Sequence, residues 1–444
     1  MLMKELWQWA CFLLCAMLLA SCVVIPEEDA PRQATLVYSG NLDGELEPCG
    51  CSEFGNQGGI KRRVQKVDEL RLANPGLFLV SAGGLLISDL PQDRLTSDYI
   101  LKGLVALKYD AVGVQWRDLA FGAAFLQPHQ LPLVASNWNG EAFAAEKQMQ
   151  RGDVTLRYFQ WLDPALAPLG AMKGAMQGGH AQVANDDTAH LAERLQHARK
   201  QGEVTLLATT LSLADAQQQL PLADVSILII ESNYELYVDP KLVEGMLVLQ
   251  PGSRGMRLAS LDFEIDKTGQ VTQWHHEVLP LPPEVKDAPR MAVWYDAYNT
   301  EVKAAYKKSV ALRKAQQSGE SPFAGAKACK VCHQTEHKAW TQSRHSDAFY
   351  ALMDVNKAFD PNCIGCHTVG FNRDGGFIDP GSTSGLMHVQ CESCHGAART
   401  HVASGGQTPV EHVKKPKVAM CVQCHNATHS PQFDVADYWP KIRH

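Results

Sequence analysis

Residues 391–401 read CESCHGAARTH: two cysteines separated by two residues, a histidine directly after the second, and another histidine six positions further on. The Cys-x-x-Cys-His unit occurs four times: Cys329, Cys332 and His333; Cys363, Cys366 and His367; Cys391, Cys394 and His395; Cys421, Cys424 and His425. Two residues between the thiols, on a helical turn, set the sulfurs at about the spacing of the two vinyl groups of a porphyrin. The adjacent histidine then falls beneath the ring, where its imidazole binds iron from the proximal side. Zinc ribbons share the paired Cys-x-x-Cys spacing, but they need only four thiolates per metal and leave the four adjacent histidines without a role. The repeated unit therefore implies four covalently bound c-type haems.

Haem attachment of this kind takes place outside the cytoplasm, so an export signal is expected ahead of it. After Lys4 an apolar run extends from Leu6 to Leu19, short for a membrane span, and closes on Leu19, Ala20, Ser21 and Cys22. That ending resembles the bacterial lipobox. The resemblance implies a cleaved leader at 1–21, lipidation of Cys22, and a tether at 22–32 holding an exported protein to a bacterial membrane on its periplasmic or cell-surface face. Of the 13 cysteines, only Cys49 and Cys51 then stay unassigned. Their spacing is too tight for an easy mutual disulfide and is compatible with a free pair, a strained redox-active bridge or a metal contact.

The 444 residues, 45% of them apolar, are enough for two or three cores, and the net charge of −7 makes nucleic acid an unsuitable partner. A redox donor and a redox acceptor are the partners expected. Eleven of the 17 histidines follow residue 325. Ahead of that point comes the proline-rich break LPLPPEVKDAPR at 279–290, then an expected helix from Met291 to about Gln316, then the loose stretch QQSGESPFAG. The expected organisation is an α/β domain at 33–280, a linker and helix at 281–325, and a haem domain at 326–444.

Short apolar runs read as buried strands at ATLVYSG, LFLVSAG, EVTLLATT and SILIIES, and SLDFEID alternates with period two. Helices are expected over Lys61–Leu72 and Thr188–Gln201, the second with Asp187 as its N-cap and Gly202 as its stop. Strands alternating with helices make a layered α/β domain.

The segments VYSGNLDGELEP, GGIKRR, LFLVSAGGLL, QWRDLAFG, ASNW and LQPGSRGMRLASLDFEI, in that order, resemble the calcineurin-like metallophosphatases of the 5'-nucleotidase branch. The resemblance implies a four-layer α/β sandwich which, in active members, holds two metal ions that activate water for phosphoester hydrolysis. Carried over one by one, the family's ligands are nearly all lost. Its Asp-x-His falls on Asn41 and Asp43, the aspartate of its Gly-Asp turn on Gly84, and its Asn-His pair on Trp116 and Arg117. Its later His-x-His region falls near Glu231 and Asn233, and the strand EVTLLATT is followed by no histidine. Asp43 and Glu231 retain the means to hold one weak ion. A degenerate, non-hydrolytic domain without catalytic residues is expected, with His180, His190, His275 and His276 as surface or packing residues.

The spacing of the four haem units, with KAWTQSRHSDAF, VQCESCHGAARTH and SPQFDVADYWPKIRH, resembles the tetrahaem cytochrome c family of nitrifying bacteria, whose type member accepts electrons from hydroxylamine oxidoreductase. The resemblance covers 326–444 and implies a mainly α multihaem domain whose porphyrins take the place of much of a conventional core. It also implies three six-coordinate haems and one five-coordinate haem, with His345, His401 and His444 as distal ligands. His429, His388, His412 and His337 are the candidates for a fourth, His429 foremost. His401 is expected to serve a haem other than the one held by Cys391 and Cys394, since six residues wrap round one porphyrin only under strain. Three functions emerge as expectations: electron transfer between exported partners, redox catalysis on a small nitrogen compound at an open haem, and, last, metal-dependent phosphoester hydrolysis.

Overall fold

A computed structural model describes residues 31–49, 56–86, 93–167, 187–230, 237–317, 319–355, 357–412, 418–425, 430 and 433–444. Cys22, Cys51, His180, Glu231, Asn233 and His429 lie outside them. Among the described residues no helix is long and apolar enough to cross a membrane.

Among the described residues, fourteen strands form the first part of the chain. They begin with β1 (Arg32–Ser39), the hairpin of β2 (Pro48–Cys49) and β3 (Gln57–Gly58), β4 (Phe78–Ser81), β5 (Ala111–Gly113), β6 (Leu133–Val134) and β7 (Lys147–Arg151). They continue with β8 (Val154–Trp161), β9 (Val204–Thr209), β10 (Ile227–Ile230), β11 (Tyr237–Val243), β12 (Met246–Pro251), β13 (Arg257–Ile265) and β14 (Val271–Pro280). One sheet runs β14-β13-β1-β4-β5-β6 and the other β11-β12-β10-β9-β8-β7. Their central pairs are parallel, and antiparallel strands close β14-β13-β1 at one side, β11-β12 and β7-β8 at the others.

Alternation along the strands makes the layers. On β1, Leu36 and Tyr38 face the second sheet, where they pack with Phe78, Leu156, Leu206, Ile227 and Phe263, while Val37 faces the opposite way into helices. On β9, Leu206 joins the inter-sheet core and Leu207 packs beneath Leu191 and Leu195 of the helix Thr188–Lys200. Helix, sheet, sheet and helix thus form the four-layer sandwich that the sequence segments implied. Asp187 caps its helix as expected, its carboxylate accepting the His190 N–H at 3.1 Å.

The helix Ala292–Gln316 is a strut between this sandwich and the C-terminal part of the chain. Tyr298, Val302 and Tyr306 bury one stripe at helical spacing. Tyr298 meets Tyr99 at a ring separation of 5.4 Å, and the Tyr306 hydroxyl donates to the Ile378 carbonyl at 3.1 Å. One hydrophobic core consequently runs from Val37 and Ile60 through Tyr298 and Val302 to Phe349, Ile364 and Phe377. Beyond the strut the chain is mainly helical, in pieces of four to eight residues.

Removing the Tyr298 ring opens a cavity where both parts of the chain meet. Tyr298→Ala is expected to cost about 3 kcal/mol or more in a denaturant titration, with fluorescence and far-ultraviolet circular dichroism changing together.

Candidate haem centre

The eight motif cysteines make no disulfides among the described residues, and all are partly exposed or exposed. Each of the last three motifs falls within or at the end of a short helix: Pro361–His367, Cys391–His395 and Val418–Cys421. The first likewise begins on the last residue of a short helix, Ala326–Cys329. Asp360 caps the second, accepting the Asn362 N–H at 3.0 Å, with Pro361 at the first turn where no N–H is needed.

Three of the four motif histidines face a histidine from outside the motifs. His333 and His401 have ring centroids 6.2 Å apart, His425 and His345 6.0 Å, and His395 and His444 6.0 Å. These gaps are too wide for face-to-face packing. They match two imidazoles bound through nitrogen to opposite sides of one iron, about 6 Å between centroids for metal–nitrogen bonds of about 2 Å. The residues present therefore fit haem. Among the described residues, His367 has no such ring opposite it.

Hydrogen bonds fix which ring nitrogen is available. A carbonyl accepts only, so an Nδ1 facing one must carry the proton, leaving the Nε2 lone pair for a metal. His367 Nδ1 donates to Ala348 O at 2.5 Å, His395 Nδ1 to His412 O at 2.7 Å, and His401 Nδ1 to Thr408 O at 2.7 Å. His444 Nδ1 donates to Ile442 O at 3.1 Å. Burial also lowers the pKa of His367, His345 and His425, and neighbouring imidazoles lower His345 further. The rings are thereby kept neutral, the form that binds iron.

The other candidates for a fourth distal ligand have different contacts. His388 Nδ1 accepts the Phe349 N–H at 3.2 Å, which puts the proton on Nε2. The His412 ring lies 3.6 Å from the Glu411 carboxylate, and His337 packs edge-on to Trp340 at 5.2 Å.

The thiols give an order to the motifs. Cys329 interacts with Cys391, Cys394 with Cys421, and Cys366 with Cys424. The first motif is thus next to the third, the third next to the fourth, and the fourth next to the second. A zinc ribbon would need four thiolates round one point, and among the described residues no three His, Cys, Asp or Glu side chains converge to hold a metal ion.

Two residues inside the stretch VQCESCHGAARTH were not singled out by sequence. Glu392 is 3% exposed, and its carboxylate accepts N–H groups from Ala324 at 2.9 Å, Gly325 at 2.8 Å and Ala398 at 2.7 Å. Gln390 accepts the Ala326 N–H at 2.6 Å and donates to Gly385 O at 2.8 Å. Together they tie the third motif to the start of the first. The only signal in the sequence is a charge or an amide beside a cysteine, which does not reveal a partner about seventy residues away.

In the sandwich, the positions where metal ligands were expected are filled by the chain itself. The Arg117 guanidinium ion-pairs with Asp43 Oδ1, and Asp43 Oδ2 accepts the Arg254 N–H at 2.9 Å. Asn41 Oδ1 accepts from the Gln115 amide at 3.0 Å, and the Trp116 indole donates to Asp163 O at 2.7 Å. Gly84 has φ +66°, and a Cβ there would lie 2.6 Å from Asn41 Oδ1. A carboxylate cannot be restored at Gly84 without moving Asn41. Asp118, 1% exposed, accepts N–H groups from Gly84, Leu85, Leu86 and Gln115, which makes it a loop anchor.

Residues 328–396 match the family model described as Cytochrome c554 and c-prime. This part of the chain is a c-type cytochrome domain, and covalent haem is the cofactor of its kind. The cytochrome c-554 of Nitrosomonas europaea is 32% identical over 97 residues, covering 18% of this chain and 41% of that protein. The chain thus matches less than half of that relative's length. For the sandwich, the 5'-nucleotidase precursor of Thermus thermophilus has a TM-score of 0.52 at 19% identity, covering 62% of this chain and 59% of that one. The sulfate thiohydrolase SoxB, also of a Thermus, gives 0.51 at 15%, covering 60% of each chain. At these identities the likeness is one of fold, the metallophosphatase-like sandwich, and carries no activity with it.

Glu392→Ala leaves three buried N–H groups without their acceptor. It is expected to lower stability by about 2–4 kcal/mol, read as a shift of the unfolding midpoint of the holoprotein, whereas Glu284→Ala, at an exposed position, leaves it within experimental scatter.

Proposed function

We propose that this chain is a tetrahaem c-type cytochrome that passes electrons between a redox donor and a redox acceptor outside the cytoplasm, held to a membrane by lipid on Cys22. The observation that carries the reading is the set of three histidine pairs, each joining one motif histidine to one distant histidine across the width of a six-coordinate iron. Six-coordinate iron changes charge with little rearrangement, which suits electron transfer. In this reading Cys329, Cys332, Cys363, Cys366, Cys391, Cys394, Cys421 and Cys424 hold four haems, His333, His367, His395 and His425 bind proximally, and His401, His444 and His345 complete the first, third and fourth.

The order of neighbouring thiols supports a conduction path from first to third to fourth to second haem. The first motif is the exposed end, with Cys332 exposed and Val331 76% exposed, and is the point proposed for exchange with partners. A negatively charged surface, with its net −7 before propionates are counted, favours basic partners.

In this reading the second haem, with no ring opposite His367 among the described residues, is five-coordinate, and a second reading has that open position bind a small nitrogen compound. Phosphoester hydrolysis is the weakest reading, because Arg117 already pairs with Asp43 and Gly84 offers no ligand where two ions would need one.

His401→Ala is expected to convert the first haem to high spin while intact mass still shows four haems attached; loss of the haem at Cys391 and Cys394 instead would contradict the pairing. Metal analysis of the full-length protein, dialysed after incubation with manganese, is expected to find fewer than two manganese ions per chain.

A further inference from the structure

The second attachment helix, Pro361–His367, is built into the core shared with the sandwich: Ile364 is fully buried, Phe359 is 9% exposed, and Cys363 packs against the same cluster. A buried ammonium lies at this seam. Lys357, 8% exposed, ion-pairs with Glu47 from the sandwich and lies 4.0 Å from the Asp360 carboxylate and 3.5 Å from Asn299 Oδ1 of the strut. Its ammonium is 5.3 Å from the ring centre of Tyr298, 5.7 Å from Tyr295 and 5.9 Å from Phe359. The Tyr295 hydroxyl donates to Glu47.

Asp360 connects this cluster to the haem site. Its carboxylate caps the helix, and its carbonyl accepts the N–H groups of Cys363 and Ile364 at 3.0 Å. On the sandwich side, Glu47 stands four residues after Asp43, in the same loop that pairs with Arg117. With the ammonium buried and the Glu47 carboxylate 27% exposed, the pair is a poor way to gain stability, because desolvating the ammonium offsets much of the attraction. What it supplies is a fixed geometry and a fixed local field in a medium that screens weakly.

We infer that Lys357 and Glu47 form a cross-domain positioning pair that orients the second attachment helix and sets the reduction potential of the haem it carries. The inference rests on the proposed reading that Cys363 and Cys366 hold a haem. The degenerate sandwich then serves as the electrostatic wall of the one haem that has no second histidine among the described residues. Reduction lowers the charge at iron by one, so the Lys357 ammonium favours the ferrous state and the Glu47 carboxylate opposes it.

The test is a potentiometric titration of the full-length holoprotein, following the second haem by its high-spin signal, in wild type, Lys357→Met, Lys357→Arg and Glu47→Gln. Lys357→Met is expected to lower that potential, Glu47→Gln to raise it, and Lys357→Arg to stay near wild type, with the other three haems shifting less. Shifts in opposite directions separate a field from simple loosening, which would move both variants the same way. Unchanged potentials, or shifts of one sign in Lys357→Met and Glu47→Gln, with four haems present by mass, overturn the pair alone. A wild-type mass lacking haem at Cys363 and Cys366 overturns the underlying reading and the pair with it.

Discussion

Three pairs of imidazoles in the C-terminal region stand about 6 Å apart between ring centres, the distance that an iron held between two imidazoles needs, and the proposed electron-transfer reading depends on it. His333 and His401, His345 and His425, and His395 and His444 all meet it. The chain between them consists of short helical turns joined by loops, too brief to be stable alone. Backbone carbonyls of Ala348, His412 and Thr408 orient the rings from behind. Glu392 and Gln390 hold the first and third motifs together by charge-assisted and amide hydrogen bonds in place of apolar packing.

The sandwich supplies what this domain lacks, a large apolar core, and shares it through Tyr298 and Val302 of the strut. Where the metal ligands of metallophosphatase-like folds were sought, the chain makes its own contacts. The Arg117 guanidinium pairs with Asp43, and Gly84, which has no side chain, lets Asn41 and Gln115 meet. The loop that carries Asp43 continues to Glu47 and so to Lys357, which ties this face of the sandwich to the second Cys-x-x-Cys-His motif.

What could be read from sequence was local. The four attachment motifs need only neighbours in the chain, and the buried strands β1, β4, β9 and β10 show as apolar runs because both faces are covered. The edge strands β11 and β14 were not among the candidates: one contains Pro240, and the other exposes Trp274 and His275 on a half-covered face. Histidine identities could be drawn from family resemblance, but the partners could not. His345 meets His425, and Lys357 meets Glu47, across 80 and 310 residues of chain respectively. Such contacts are decided by the fold as a whole, and no local spacing encodes them.

The most direct test of the account is low-temperature electron paramagnetic resonance of the oxidised, full-length holoprotein, with haem counted by intact mass on the same sample. The account predicts four haems per chain, three giving low-spin bis-histidine signals and one a high-spin ferric signal. Four low-spin signals, or fewer than four haems, would contradict it.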